Sequence, residues 1–355
     1  MKRFYLICPF LFGLICFSSS EAQQEELFSP TLMVSHTGKS SLRGISVVDD
    51  NLVWVSGSKG TVGITLDGGK NWKWLQPKGY EKRDFRDVQA FDRFTALVMA
   101  VGEPAIVLRT TDGGDNWQEV FFDDRAGMFL DAMYFRDEMN GMIIGDPIRQ
   151  IPFVATTGDG GLSWRTITVQ SGVGSPILLD SGEAFFAASG SNLQLMHKGT
   201  IRNGLMVTGG SRSRLIHTDG QFVFELPFIP GGSSRGANAI SMRNSSQGII
   251  VGGDFSSDTA SSNNCLLINL SKKKKDAPIF KRPQIPPSGY RSSVQYLFGN
   301  TWITCGTSGI DVSDDNGINW RVIAKDSYHA IGFSFRGKYV FMAGSGGRVA
   351  KLLVR

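Results

Sequence analysis

After one long apolar run at its start, the chain offers hydrophobic residues only in short bursts. Phe4 to Phe17 is almost unbroken apolar sequence, shorter than the ~20 residues that span a bilayer comfortably. No later stretch is long enough to cross a membrane. From Thr31 onward the apolar residues come in small groups such as Val53-Trp54-Val55, interrupted by Gly, Asp and Asn. Helical periodicity is scarce, so the pattern predicts an all-β chain of short strands joined by tight turns. The 43 glycines suit the same reading. The opening run reads as an address. Lys2 and Arg3 precede it, and Ser20-Glu21-Ala22 follows with small residues at both positions a signal peptidase inspects. The expectation is a signal peptide over 1–22, cleaved before Gln23, on a protein that is periplasmic or extracellular. Leu14-Ile15-Cys16 resembles a lipoprotein cleavage site, but Ile15 is bulky there, so a lipid anchor on Cys16 is the lesser alternative.

A repeat organises the rest. Thr65-Leu66-Asp67-Gly68-Gly69-Lys70-Asn71-Trp72 returns as Thr110 to Trp117, as Thr157 to Trp164 and as Ser313 to Trp320. All four copies obey Ser/Thr-x-Asp-x-Gly-x-x-Trp, the Asp-box. Its chemistry is that of a hairpin turn: Asp67, Asp112, Asp159 and Asp315 can accept backbone N–H groups, while Gly supplies positive φ. Trp72, Trp117, Trp164 and Trp320, leading into the next strand, have the area to fill gaps between sheets. Residues that repeat with the fold are structural before they are catalytic. A calcium loop beginning at Asp311 is excluded, because Val322 stands where a bidentate Glu is needed.

Spacing sets the blade count. The boxed tryptophans lie 45 residues apart (72 to 117), then 47 (117 to 164), then 156 (164 to 320). The last interval holds three steps, so two boxes have decayed, one at His217-Thr218-Asp219-Gly220 and one in a lysine-rich hairpin around Ser271 to Asp276. Ile331 to Val354 reads as three strands, and Thr31 to Ser35 could supply a fourth and close the ring. The expectation is a single seven-bladed β-propeller. Its blades would cover about 43–75, 85–120, 129–167, 180–228, 235–280, 289–323 and 329–354, closed by strand 31–35.

A second register runs through the openings of the repeats: Arg43-Gly44-Ile45, Arg86-Asp87-Val88, Leu130-Asp131-Ala132, Gly182-Glu183-Ala184, Arg235-Gly236-Ala237, Arg291-Ser292-Ser293 and His329-Ala330-Ile331. First strands of propeller blades line the central channel, so Arg43, Arg86, Arg235, Arg291 and His329 are expected to converge at one mouth. Arginines placed together repel unless something anionic offsets them. That could be the adjacent Asp87, Asp131 and Glu183, or a partner's carboxylates, which suit the guanidinium fork. Arg212, Arg214 and Lys59 could extend the same face.

Charge and composition narrow the partners. The formal net charge is +5, or +4 without Lys2, Arg3 and Glu21, too mild and dispersed for general nucleic-acid binding. Lys272 to Lys275 reads as a solvated hairpin tip, with an electrostatic contact to membrane or an acidic partner as the other use. His36, His197, His217 and His329 show no metal-ligand spacing, and no phosphate loop precedes a helix, so no cofactor or metal is expected. Cys8 and Cys16 leave with the signal peptide; Cys265 and Cys305 could pair or stay as two buried thiols.

The sequence resembles the photosystem II stability/assembly factor family of seven-bladed propellers, whose bacterial members include many without photosynthesis. The resemblance is carried by Leu42-Arg43-Gly44-Ile45-Ser46, Val53-Trp54-Val55-Ser56-Gly57, the Asp-boxes, Ala187-Ala188-Ser189-Gly190, Gly289-Tyr290-Arg291-Ser292 and Gly344 to Ala350. It implies an exported scaffold in membrane-complex assembly, monomeric, with an arginine patch at Arg43, Arg86, Arg235 and Arg291 that takes a protein partner such as a membrane-complex subunit or acidic segment. A glycan is the alternative ligand, on an enzyme of sialidase type. That reading needs a Tyr nucleophile with a Glu partner, for which Tyr134 and Tyr290 are candidates, or a carboxylate pair such as Asp87 with Asp131 or Glu183. The early Arg-Ile-Pro signature of sialidases is missing, which favours the scaffold.

Overall fold

The computed structural model describes residues 31–354, apart from 36–39, 173, 197–198, 201, 229–230, 272–276 and 335. The signal peptide, Cys8, Cys16, His36, His197 and Lys272 to Lys275 therefore lie outside the described residues. Within them the chain folds into seven antiparallel sheets and one short 3₁₀ turn at Ser345–Gly347. It is an all-β, seven-bladed propeller.

Each blade climbs outward from an inner strand next to the channel. Blade 1 runs Leu42–Val47, Val53–Gly57, Thr61–Thr65 and Lys73–Leu75. Blades 2 and 3 repeat this over Phe85–Asp123 and Leu130–Thr166, and blades 5 and 6 over Arg235–Lys281 and Ser293–Ala324. Blade 7 takes Ala330–Phe333, Tyr339–Ala343 and Arg348–Leu353 from one end of the chain and Thr31–Ser35, its outermost strand, from the other. Blade 4 departs from the sequence reading. Its inner strand is Leu193–Leu195, not Gly182 to Ala184. Glu183–Ala184 pairs instead with Gly209–Gly210, which continues onto the sheet of blade 5.

The core is not central but divided among the gaps between blades. Seven apolar clusters occupy the seven interfaces; Trp54, Val88, Val98 and Leu108, for example, fill the gap between blades 1 and 2. Middle strands are buried on both faces and therefore read as continuous apolar runs, as in Ala96–Ala100. Inner strands are stapled to one another by side chains. Ser46 accepts the Ala90 N–H, Ser241 the Tyr296 N–H and Gln194 the Met242 N–H, at 2.8–3.0 Å.

The four boxes share one Asp-centred turn, and only the third leaves its indole N–H, that of Trp164, without a partner among the described residues. Thr65 Oγ1 donates to Asp67 and accepts the Gly69 N–H, both at 2.9 Å. Asp67 in turn accepts the backbone and side-chain N–H groups of Asn71 at 2.9 and 2.8 Å. Trp72 Nε1 donates to the Gly69 carbonyl, as Trp117 and Trp320 do to Gly114 and Gly317. Hydrogen bonds to the ionised form hold Asp67, Asp112 and Asp159 at about 2, below the ordinary carboxylate range. In the decayed copy His217 replaces the Thr and its Nδ1 meets Asp219. Cys265 and Cys305 are both buried free thiols, pushed up by burial.

Candidate functional site at the channel mouth

Where inner strands begin, the ladder skips one residue. The bulged residues are Arg43 in blade 1, Arg86 in blade 2, Asp131 in blade 3 and Asn238 in blade 5. A bulge re-aims its side chain, and Arg43, Arg86 and Asn238 turn toward a common hollow. In blade 6 the glycine that ends the second strand fixes the alignment. Gly57 packs on Ser41 and Leu42, Gly252 on Gly236 and Ala237, and Gly306 on Tyr290 and Arg291. Arg291 therefore takes the buried place of Leu42 and Ala237, and Ser292 takes the place of Arg43.

The expected set of arginines thus divides. Arg43 and Arg86 reach the mouth, and His329 joins them. Arg291 is wholly buried and spent on structure: its Nε donates to Asp311 at 2.6 Å, and its other nitrogens bond Tyr290 O, Ser308 and Ser288. Arg235 stands half-exposed at the edge of blade 5, where it pairs with Asp254 at 2.8 Å. Nor do the acids form a row. Asp131 occupies the bulge itself, one place before Asp87, and Glu183 is buried against Arg214 Nη2 at 2.6 Å. Arg212 pairs with Asp180 and Glu225.

The hollow holds about 470 Å³. Basic Arg43 and Arg86 stand on one side, with aromatic Phe129, Phe186, Phe255 and Tyr290 around them. The Arg86 guanidinium lies over the Phe129 ring at 5.8 Å, and its Nε bonds Asp84 at 2.8 Å. Burial, with Arg86 nearby, lowers Arg43 from its ordinary value. Burial, then Arg43, Arg86 and Arg348, push His329 down to about 3, so its imidazole is neutral, with Nε2 2.8 Å from Ser345 Oγ.

A strap crosses the mouth over residues 185–191, inserted between the short strand Glu183–Ala184 and the true inner strand of blade 4. Phe185 N–H donates to Asp146 at 3.0 Å, and the carbonyls of Ala187 and Ala188 accept Arg86 and Arg43, each at 3.4 Å. Ser189 Oγ donates to Ser292 O, and Ser191 O accepts the Ile240 N–H. The strap therefore touches blades 1, 2, 3, 5 and 6. Beneath it Asp87 accepts Val88 and Met133 N–H at 2.8 Å, and burial raises it to about 7. Burial also raises Asp131, and Asp146 to about 6.

Sequence reasoning missed the strap, the aromatic wall and Asp146. The signal for Asp146 was the glycine repeated at the end of second strands: Gly145-Asp146 is cognate with Gly306-Thr307, and both following residues line the hollow. The enzyme candidates fare differently. Tyr290 is buried and donates to Asn238 at 2.8 Å, while Asp87, Asp131 and Glu183 are all buried. None of these carboxyls presents itself to a sugar in the hollow.

The fold and mouth define a class: a closed seven-bladed propeller with a basic, aromatic hollow at one end of its channel. Comparison with known proteins makes this narrower. The profile of the photosynthesis system II assembly factor YCF48 family matches residues 33–129. A photosystem II assembly lipoprotein Ycf48 from Synechococcus sp. (strain CC9902) is 24% identical over 147 residues, which is 41% of this chain and 43% of that protein's length. Among solved structures, YCF48 from Cyanidioschyzon merolae superposes with a TM-score of 0.62 at 18% identity, covering 92% of this chain and 99% of the other. YCF48 bound to D1 peptide gives 0.61 at 15% identity, covering 93% and 96%. The chain is thus similar to photosystem II assembly factors over part of its length, and it shares their seven-bladed β-propeller fold. Among the described residues no helix is long and apolar enough to cross a membrane.

Proposed function

We propose that the protein is an exported assembly scaffold that binds a carboxylate-bearing segment of a protein partner at the mouth formed by Arg43 and Arg86. One observation carries this reading. Two bulged arginines line an aromatic hollow with Nη1 groups that make only long, 3.4 Å bonds to the strap carbonyls of Ala188 and Ala187, Arg86 being anchored through Nε on Asp84. An incoming carboxylate offers shorter, charge-assisted bonds to the same N–H groups, each about twice as strong as a neutral one. The aromatic wall supplies apolar area for side chains flanking that carboxylate. The names of two relatives agree with the class of partner: one is an assembly lipoprotein, another is bound to a peptide. The lipoprotein also agrees with export.

The test is capture of partners from the native cell envelope. The double substitution Arg43→Ala, Arg86→Ala should abolish specific capture, whereas Arg235→Ala, away from the hollow, should leave it intact. Undiminished capture by a correctly folded double variant would refute the reading.

A further inference from the structure

The floor of the mouth is acidic and badly provided with partners. Asp146 lines the hollow together with Arg43 and Arg86. Directly behind it, Asp131 occupies the bulge position of blade 3 with no solvent exposure. Its carboxyl oxygens make no well-aligned hydrogen bond among the described residues; only the backbone N–H groups of Asp146 and Ala187 lie close enough to favour the charged form. Thr307 Oγ1, on the rim of the same hollow, has no partner among the described residues. A buried carboxylate with such weak donors is expensive to keep charged, and here a second carboxylate stands beside it. Two such groups do not both ionise freely.

We infer that the mouth is a proton-linked site: Asp146 and Asp131 take up a proton when a carboxylate seats between Arg43 and Arg86. This rests on the function proposed above and adds its regulation. The geometry shows who faces the pair. Arg86 comes from the inner strand of blade 2, held by Asp84, and attracts the charged form. Asp87 lies on the same strand, buried and bonded to Val88 and Met133. Arg43 enters from blade 1 and His329, neutral, from blade 7. The neighbouring strand Ile151–Thr157 carries no acidic or basic residue, and the strap offers backbone N–H groups alone, Phe185 to Asp146 and Ala187 to Asp131. Asp146 held by burial at about 6 is consistent with a proton taken up within the mildly acidic range.

Linkage fixes the sign. Each proton gained raises the charge of the mouth by one, which favours an anionic ligand; reciprocally, the ligand raises proton affinity. A unit charge at this range, partly screened, is worth about fivefold to tenfold in affinity. The probe is the peptide acetyl-Glu-Phe-Glu-Phe with a free C-terminal carboxylate, whose own carboxyls remain largely ionised at pH 5.5.

Calorimetry with the full chain should show binding about fivefold or more tighter at pH 5.5 than at 7.5. Asp146→Asn keeps an oxygen for the Phe185 N–H and should bind at pH 7.5 as tightly as the unmodified protein does at 5.5, with the pH dependence largely lost. Carbon-detected NMR titration of the aspartate carboxyls, without ligand, checks the pair directly and should place Asp146 near 6. If both carboxyls titrate below 4.5, or the probe binds equally at both pH values, the linkage is overturned. If Asp146 titrates near 6 yet the probe binds at neither pH, the carboxylate-binding reading fails, and the linkage with it.

Discussion

Gly190 rests directly on the carboxylate of Asp87, at φ +68° and with no space for a Cβ. The Asp87 oxygens are fixed by two backbone N–H groups, one from its own strand and one from blade 3. Any side chain at 190 must therefore move the strap or break those bonds. Gly190→Ala should destabilise the protein by about 2–3 kcal/mol, the sum of left-handed strain and a displaced buried carboxyl. Denaturant melts measure the loss, and hydrogen exchange should locate it in residues 185–191. Unchanged protection there would show that the strap is not held by this contact.

Arg291 and Arg235 should separate cleanly. Removing Arg291 leaves Asp311 buried without its cation, a loss of about 3–5 kcal/mol, so Arg291→Ala should unfold at much lower denaturant. Arg235→Ala breaks a pair that water screens and should cost under about 1 kcal/mol. Equal effects would mean that the buried pair is not what holds blade 6 at its inner edge.

Stability should rise on mild acidification and fall again in strong acid. Asp87 and Asp146 are raised above their ordinary value of 3.8, so their ionisation penalises the fold; that penalty is complete above pH 7 and relieved as pH falls toward 4. Asp67, Asp112 and Asp159 are depressed, so their contribution is present above pH 4 and lost between about 4 and 2. Unfolding free energy should therefore peak near pH 4–5, about 2–4 kcal/mol above its value at pH 8. Asp87→Asn should flatten the alkaline side of that curve, and an unaltered slope would remove Asp87 as its source.

Thr110 both donates and accepts in its box, donating to Asp112 at 2.8 Å and accepting the Gly114 N–H at 3.0 Å and the Asp112 N–H at 3.3 Å. Thr110→Val preserves shape and deletes all three. A loss of about 1–2 kcal/mol is expected, against a far smaller one for Thr111→Val, whose side chain lies outside the box's hydrogen bonds. Similar losses for the two would contradict a structural role for the box hydroxyl.

The architecture was readable because it repeats: four boxes and their spacing define seven blades without reference to any single contact. The site was only half readable, because a single residue of offset decides whether a side chain lines the channel or the core. Arg43-Gly44 and Arg291-Ser292 look alike as letters, yet the glycine contacts at Gly57 and Gly306 show them one place apart. The strap hid for a related reason. Ala187-Ala188-Ser189-Gly190 packs closely across the mouth, with no space for a side chain at Gly190 against Asp87, and small residues carry no period to announce an insertion. Asp146 lies outside the repeat openings, on the second strand of blade 3.

Blade 7 joins Thr31–Ser35 to Arg348–Leu353, with Thr31 opposite Lys351 and Ser35 opposite Arg348. In time, this means that the first of the described strands must wait for the last. Until residue 353 has emerged, the strand at 31–35 has no partner and the ring is an open crescent with an unsealed edge at each end. Contacts between such distant segments form late and slowly, and a crescent of exposed edges is what chaperones are needed for. A chain stopped before residue 348 would thus lose more than one strand; the strand at 31–35 would have nothing to pair with, and the ring would stay open.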